Sequence, residues 1–513
     1  MSDQEDVIAF LADGQAYGSG SAVVTQVETH AAIVFLVGDR AYKLKKAVSL
    51  PYLDFSTLDL RRQVCEEEIR LNRRTAPDVY LGVRPVTRGD DGRLALDGDG
   101  RAVEWLVEMR RFDDNQLLDR LARSGELHDH ALIDLADEVA AFHAAAAPCP
   151  AGADVSEYLR VNTVIAGEFD AYTPEVFAAE PARRFVEAVA AEGERHRALL
   201  ARRRADGRVC ECHGDLHLRN IFLEHGRPVI FDAIEFDARL SHTDVMYDLA
   251  FLLMDLWHRD MRHGANVVLN RYLARTGDIE GLAVLPMFLA LRAGIRAHVN
   301  ATMAAGTADA DKAAARRQEA RDYLALALDC LTPRPPRLIG IGGLSGSGKS
   351  TLAAALAPEL GPPPGAVRLR SDEIRKVLMG VEPEQPLPPS AYASEVSDRV
   401  YGLLYQRSAT ALAAGCAVIA DATHSLADGR RRLAEVAREA GVRFDGLWLE
   451  APTALMARRI DDRTRDPSDA TVEVLHAQLR EETGAIDWQR IDSSGEIAGV
   501  LAAARRCLEV DQT

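Results

Sequence analysis

Two groups of residues in this chain have the types and order that phosphoryl transfer demands, and they rest on different principles. The first is His213-Gly214-Asp215-Leu216-His217-Leu218-Arg219-Asn220, with Asp232 twelve residues further on. Moving a phosphoryl group from ATP to a hydroxyl requires a carboxylate that positions the hydroxyl and accepts its proton, and ligands for the Mg2+ ions that neutralise the phosphates. Asp215 has the place of the base, and Asn220 and Asp232 those of the metal ligands. The second group is Gly343-Leu344-Ser345-Gly346-Ser347-Gly348-Lys349-Ser350-Thr351, which satisfies G-x-x-x-x-G-K-[ST]. Its glycines let backbone N–H groups wrap phosphates, and the following helix N-terminus adds positive potential. Lys349 reaches the β and γ phosphates and Ser350 ligates magnesium.

Each group needs supporting charges. Lys43 and Lys45 lie two apart on Tyr42-Lys43-Leu44-Lys45-Lys46, hence on one face of a strand. Of Glu66, Glu67 and Glu68, only Glu68 shares a helical face with Val64, Leu71 and Thr75. Beyond the second group, Ser371-Asp372-Glu373-Ile374-Arg375 places a carboxylate and an arginine where an acceptor would sit. Asp421 ends the apolar run Cys416-Ala417-Val418-Ile419-Ala420, the position of a Walker B carboxylate. Arg458, Arg459, Arg463 and Arg465 then read as an arginine-bearing lid that stabilises transition-state charge.

The elements that must position these residues fall into two patterns. Residues 22–50 alternate as strands with a hairpin turn at Gly38-Asp39, a helix runs from about Ser56 to Arg74, and strand character returns at Val103 to Met109 before mostly helical sequence. Another helix covers about Asp309 to Leu331 and stops at Thr332-Pro333-Arg334-Pro335-Pro336-Arg337. Beyond it, Arg337 to Gly342, Ala366 to Arg370, Cys416 to Ala420 and Phe444 to Leu449 are short apolar runs alternating with helices such as Thr351 to Leu360, the pattern of a parallel sheet. The expectation is an α/β multidomain chain: a bilobed α+β domain with a lobe at 1–112 and a helical lobe at 113–331, a Pro-rich linker at 332–337, and a doubly wound parallel α/β domain at 338–513.

His-Gly-Asp-x-x-x-x-Asn followed by a strand and Asp resembles the aminoglycoside phosphotransferase family, a branch of the protein-kinase-like fold, over roughly residues 20–330. The resemblance implies that Asp215 is the catalytic base, that Asn220 and Asp232 hold magnesium, and that His213 braces the loop; Glu235 is a weaker candidate for metal or substrate support. It also implies a third-strand lysine that holds the α and β phosphates, either Lys43 or Lys45 with the dipeptide Leu44-Lys45 favouring Lys45, and a helix glutamate that fixes it, for which Glu68 is the candidate. No G-x-G-x-x-G precedes the lysines, Gly18-Ser19-Gly20 being a partial match, and Ala233-Ile234 replaces the Phe-Gly of protein kinases. His217 reads as structural and His30, in the turn between the first strands, is left unassigned, contact with nucleotide or substrate being the lesser alternative for each. The second group, over residues 337 to about 505, is similar to the P-loop kinases around gluconate kinase, chloramphenicol phosphotransferase, polynucleotide kinase and zeta-type toxins. That similarity implies that Asp372 is a base and Arg375 an acceptor contact.

The formal charge of -17 repels polyanions, so nucleic acid or an anionic membrane would need a local basic patch, and small hydroxylated molecules are the expected partners beside ATP. Asp237, Asp244, Asp255 and Asp260 could recognise a cationic amino sugar or could form a solvated face. Seven cysteines without a framework suit a reducing compartment, and an acidic start with no apolar run of membrane-spanning length points to the cytoplasm. The leading expectation is a bifunctional ATP-dependent phosphotransferase whose two kinases act on a small-molecule hydroxyl of the aminoglycoside or sugar class and on a second site or substrate. The alternatives are a regulatory nucleotide sensor in one half, or a P-loop kinase of a nucleotide-sugar, polynucleotide or protein.

Overall fold

The computed structural model describes residues 3–18, 23–29, 31–50, 53–463 and 466–509. They form two compact units, Met1–Glu157 with Ala201–Leu252, and Tyr158–Leu200 with Leu253–Thr513. The partial glycine match at Ser19 and Gly20, His30 and Arg465 lie outside the described residues.

In the first unit the alternating segment becomes the strands Val24–Glu28, Ala32–Val37 and Arg40–Lys45, the last two joined at Gly38 with φ +56°. Arg101–Arg110, Tyr80–Arg88 and Leu94–Leu96 continue it, in that spatial order, into a six-stranded antiparallel sheet. Tyr42 and Leu44 enter an apolar layer with Phe35, Val86 and Leu106, covered by Val7 and Leu11 of the helix Asp3–Leu11. Because side chains alternate along a strand, Lys43 and Lys45 face the other way. The helix Leu58–Asn72 packs on that second face, with Cys65 and Ile69 against Tyr80 and Val107. It starts one residue later than Ser56 would imply: Thr57 accepts the N–H of Leu60, whereas the Ser56 N–H is held by Asp54.

In the second unit the helices Leu285–Ala305 and Ala310–Leu331 pack as a hairpin, and Asp309 caps the latter by accepting the N–H groups of Asp311 and Lys312. Gly294 lets the ring of Phe185 approach, since a Cβ there would lie 2.7 Å from it. The Pro-rich stretch 332–337 falls inside this unit, between those helices and a five-stranded parallel sheet. The strand order is Val367–Arg370, Val418–Asp421, Arg337–Gly342, Arg443–Glu450 and Gln489–Asp492, the last unforeseen from sequence. Ile339, Ile341, Ile419, Leu447 and Leu449 pack against Leu352, Leu356 and Ala504 of the flanking helices. On the opposite face Trp488 lies so close to Gly340 and Gly446 that a Cβ would meet its ring at 2.5 and 2.3 Å. The P-loop helix runs Lys349–Leu356 and tightens into a 3-10 turn at Ala357–Glu359, shorter than expected because Pro358 supplies no N–H. Among the described residues no helix is long and apolar enough to cross a membrane.

Candidate active sites

In the first unit Gly214 adopts φ +85°, which only glycine takes without strain, and this turns the loop so that Asp248 can grip it. Asp248 is fully buried and accepts the N–H of His213 at 3.0 Å and that of Gly214 at 2.8 Å on separate oxygens; His143 Nε2 lies 3.2 Å from it. His213 Nδ1 accepts the N–H of Asp215 at 3.2 Å, so its proton sits on Nε2 and is donated to the carbonyl of Phe231 at 2.9 Å. Burial holds this imidazole below its usual pKa, which keeps it neutral. His213 thereby ties the loop carrying Asp215 to the segment that delivers Asp232. Asn220 Nδ2 donates to Asp215 Oδ2 at 2.9 Å and to its carbonyl at 3.0 Å, and His217 Nε2 lies 3.3 Å from the same Oδ2.

Asp232 is held at φ +64°, a conformation that costs a non-glycine residue free energy and persists only under external restraint. The restraint is visible: its N–H donates to Tyr80 Oη at 3.1 Å, and the next N–H, of Ala233, donates to buried Asn72 Oδ1 at 2.8 Å. Lys43 Nζ lies 2.8 Å from Glu68 Oε1 and 2.6 Å from Asp232 Oδ1. Lys45 Nζ lies 2.5 Å from Glu68 Oε2 and bonds Glu235 Oε1. Burial would raise the Glu68 carboxyl, but the two ammonium groups outweigh it and hold it below the carboxylate range. Of the two lysines, Lys43 is the one that reaches the metal-ligand candidate, whereas Lys45 is closed off between two buried carboxylates.

In the second unit the P-loop needs its glycines for space as well as for positive φ. A Cβ on Gly343 would lie 2.6 Å from the carbonyl of Leu449, and one on Gly346 2.4 Å from that of Met456. Gly348 has φ +90°, and Ser345 N–H donates to Gln478 Oε1 at 2.9 Å. A cavity of about 330 Å³ opens here, lined by Gly346, Gly348, Lys349, Ser350, Thr351, Arg459 and Arg463. Arg459 Nη2 donates to the carbonyl of Ser493 at 2.8 Å, and Ser493 Oγ donates to that of Ser347 at 2.7 Å, anchoring the guanidinium to the loop. Buried atoms without a hydrogen-bond partner gather around this loop: Ser347 Oγ, Asp421 Oδ2, and Nη1 of both Arg459 and Arg463. Cationic donors beside a carboxylate and the hydroxyl of Ser350 match what a nucleotide phosphate and a magnesium ion require, so the residues present fit Mg-ATP.

Asp421 is aligned with Ile341 on the neighbouring strand and so lies at the P-loop end of the sheet. Arg370, unforeseen from sequence, stands 3.4 Å from Asp421, 3.1 Å from Asp466 and 3.5 Å from Glu373. Burial pushes the Asp372 carboxyl up, with Asp421 adding to it while Arg370 and Lys349 oppose. Burial likewise lowers Lys349, whose Nζ donates to the Leu344 carbonyl at 2.9 Å. Arg375 Nη1 donates to the Ala391 carbonyl at 2.7 Å and to Ser397 Oγ at 3.3 Å, and its guanidinium lies over the ring of Tyr392. Arg458 is exposed and does not itself line the cavity as Arg459 and Arg463 do, but it lies 3.5 Å from Asp462, which does.

The acidic residues considered for an amino sugar each meet an arginine of their own. Asp237 pairs with Arg239, Asp244 with Arg203, Asp255 with Arg259 and Asp260 with Arg262. That pairing removes the reason to read them as a cation site. Asp248, Asn72, Tyr80, Arg370 and Ser493 carried no local sequence signal, because each acts through a partner distant in the chain.

Residues 61–285 match the model of the phosphotransferase enzyme family, and residues 338–483 that of the AAA domain. Over 479 residues the chain is 31% identical to an uncharacterized protein of Mycobacterium tuberculosis, spanning 91% of this chain and 92% of the relative, and an uncharacterized protein of Mycobacterium bovis matches to the same extent. Among solved structures, a choline kinase from Cryptosporidium parvum Iowa II is 10% identical, covering 64% of this chain and 95% of its own with a TM-score of 0.41. A gluconokinase from Sinorhizobium meliloti 1021 is 21% identical, covering 34% of this chain and 97% of its own with a TM-score of 0.24. The chain belongs to the family of these mycobacterial proteins, and it joins a kinase-like domain of the phosphotransferase enzyme family to a P-loop kinase-like domain of the AAA type.

Proposed function

We propose that this chain is a bifunctional ATP-dependent phosphotransferase with two alcohol-directed kinase sites. The observation that carries the reading is that each unit sets a nucleotide clamp beside carboxylates: Lys43 ion-paired with Asp232 next to the Asp215–Asn220 loop, and Lys349 at the P-loop within electrostatic reach of Asp421 and Asp372. A nucleotide sensor needs a clamp alone. In the first site Asp215 accepts the hydroxyl proton, Asn220 and Asp232 would hold magnesium, and Lys43, kept in place by Glu68, holds the phosphates. In the second, Asp372 is the base. Its raised pKa makes it a stronger proton acceptor than an exposed carboxylate. Ser350 and Asp421 would hold magnesium there, and Lys349, Arg459 and Arg463 cover the phosphates. When bound, Mg2+ neutralises charge on the phosphates being transferred.

The first acceptor is a small hydroxylated molecule of the sugar or aminoglycoside class, and the second is another site on it or a second compound. Equilibrium binding of a non-hydrolysable ATP analogue with Mg2+ tests the two-site reading. The full chain should bind two equivalents and the Lys349→Ala chain one. A single equivalent in the parent would remove one of the sites. A screen of hydroxylated metabolites by ADP release then identifies the acceptors.

A further inference from the structure

The strand Val367–Arg370 lies at the edge of the P-loop sheet and pairs on one side only, with Val418–Asp421. On its open side stands the helix Arg262–Thr276, which lies within the segment matching the phosphotransferase family. Two of its amides take the place of a further strand. Asn270 Oδ1 accepts the N–H of Arg368 at 2.6 Å, while its Nδ2 donates to the Ala366 carbonyl at 3.2 Å. Asn266 Nδ2 donates to the carbonyls of Ala366 and Pro364, both at 3.0 Å. Both asparagines are at least nine-tenths buried. An open sheet edge leaves backbone groups unpaired, and here they are closed by side chains of a helix that precedes the Pro-rich stretch.

The same helix has a second grip. Arg271 lies 3.3 Å from Glu384, and Arg275 lies 2.5 Å from Glu382. The segment they hold continues to Leu387, whose N–H donates to Asp469 Oδ2 at 3.0 Å, and to Tyr392, whose Oη donates to the same oxygen at 2.7 Å. Asp469 follows Asp466, the lid residue that meets Arg370. One helix therefore fixes both the strand leading into Asp372 and the segment facing the arginine lid.

We infer that the helix Arg262–Thr276, through Asn266, Asn270 and Arg271, is a positioning element of the second kinase site, so that this site works only as part of the larger unit and not from the Pro-rich stretch onward. The inference rests on the kinase reading of that site. A helix that moved the edge strand would shift Asp372 against the nucleotide, and misplacement of about 1 Å costs about 100-fold in rate.

The test uses the full chain carrying Asp215→Ala, so that ADP release from Mg-ATP reports the second site. Asn270→Leu should lower kcat by about 10- to 100-fold with little change in the KM for ATP. It should also speed hydrogen exchange at the Arg368 amide by at least about tenfold. Arg271→Glu should lower kcat, and adding Glu384→Arg should restore part of it, which a role in fold stability alone would not produce. This charge exchange, between buried Arg271 and partly exposed Glu384, decides the question if Asn270→Leu does not fold. Unchanged kcat and unchanged Arg368 exchange in Asn270→Leu, or no rescue by the exchanged pair, would overturn the inference. Lys349→Ala in the same background must abolish the release. If it does not, the kinase reading of the site fails, and the positioning inference is judged on Arg368 exchange alone.

Discussion

Lys43 and Asp232 are ion-paired at 2.6 Å, which joins the third strand of the sheet to the left-handed turn that follows the Asp215–Asn220 loop and its hairpin. The neighbouring Lys45, two residues on, is instead enclosed by Glu68 and Glu235. The two lysines should therefore fail differently. Lys43→Met is expected to lower kcat/KM of the first site by about 10²- to 10³-fold, as loss of one preorganised charge does, with a small change in melting temperature. Lys45→Met leaves buried carboxylates short of a cation, and breaking such a pair costs about 3–5 kcal/mol. Thermal unfolding should show that loss, and Lys45→Met combined with Glu235→Gln should recover part of it.

Asp248 holds two successive backbone N–H groups, those of His213 and Gly214, at the start of the loop that carries Asp215. Asn at this position keeps only one good acceptor toward them, at a cost of about 1–3 kcal/mol for a buried unsatisfied donor. Asp248→Asn should lower first-site turnover by about tenfold while leaving Lys349-dependent ADP release unchanged. Equal loss at both sites would mean general unfolding instead.

What sequence could reveal here was local in character. The P-loop motif marked its own glycines, helical periodicity singled out Glu68, and the strand Arg337–Gly342 coincides with the apolar run read there. Lys43 and Lys45 could not be separated because a strand puts both on one face; only the third dimension shows which meets Asp232. Tyr80 and Asn72 reach their partners across 152 and 161 positions, and Asn270 reaches Arg368 across 98, distances over which no spacing rule operates. Arg375 lies one helical turn from Asp372, as a site arginine should, yet its guanidinium is drawn to the carbonyl of Ala391. Gln489–Asp492 escaped notice because its polar residues lack the apolar run of a central parallel strand, being at the sheet edge.

His424 is buried beside Tyr401 and Trp488, with Nε2 3.2 Å from the Ala420 carbonyl, and burial pushes its pKa down to about 4. In the unfolded chain a histidine titrates near 6.5. The unfolded state therefore takes up a proton first, so this contribution to stability is complete above pH 6.5 and is lost as the pH falls toward 4, by about 3 kcal/mol in all. Asn tolerates the φ of +46° found at this position and does not titrate. Urea unfolding between pH 7.5 and 4.5 should show a shallower loss of stability for His424→Asn than for the parent; parallel curves would contradict the assignment.

Two glycine substitutions separate phosphate binding from folding. Gly346→Ala puts a methyl group 2.4 Å from the Met456 carbonyl in a backbone conformation that disfavours it, and should abolish nucleotide binding at the P-loop while the first site still turns over. Gly446→Ala places its methyl 2.3 Å from the Trp488 ring and should destabilise the second unit by about 1–3 kcal/mol through overpacking. Calorimetric titration with an ATP analogue and thermal unfolding distinguish the two.

Two independent phosphoryl-transfer centres on one chain would give a distinct pattern of acceptor-dependent ADP release from the full chain, from Asp215→Ala, from Lys349→Ala and from the double variant. Each single substitution should abolish one acceptor-dependent activity and spare the other, and the double variant should have neither. If either single substitution left all phosphate transfer intact, that domain would not be catalytic and the account would be wrong.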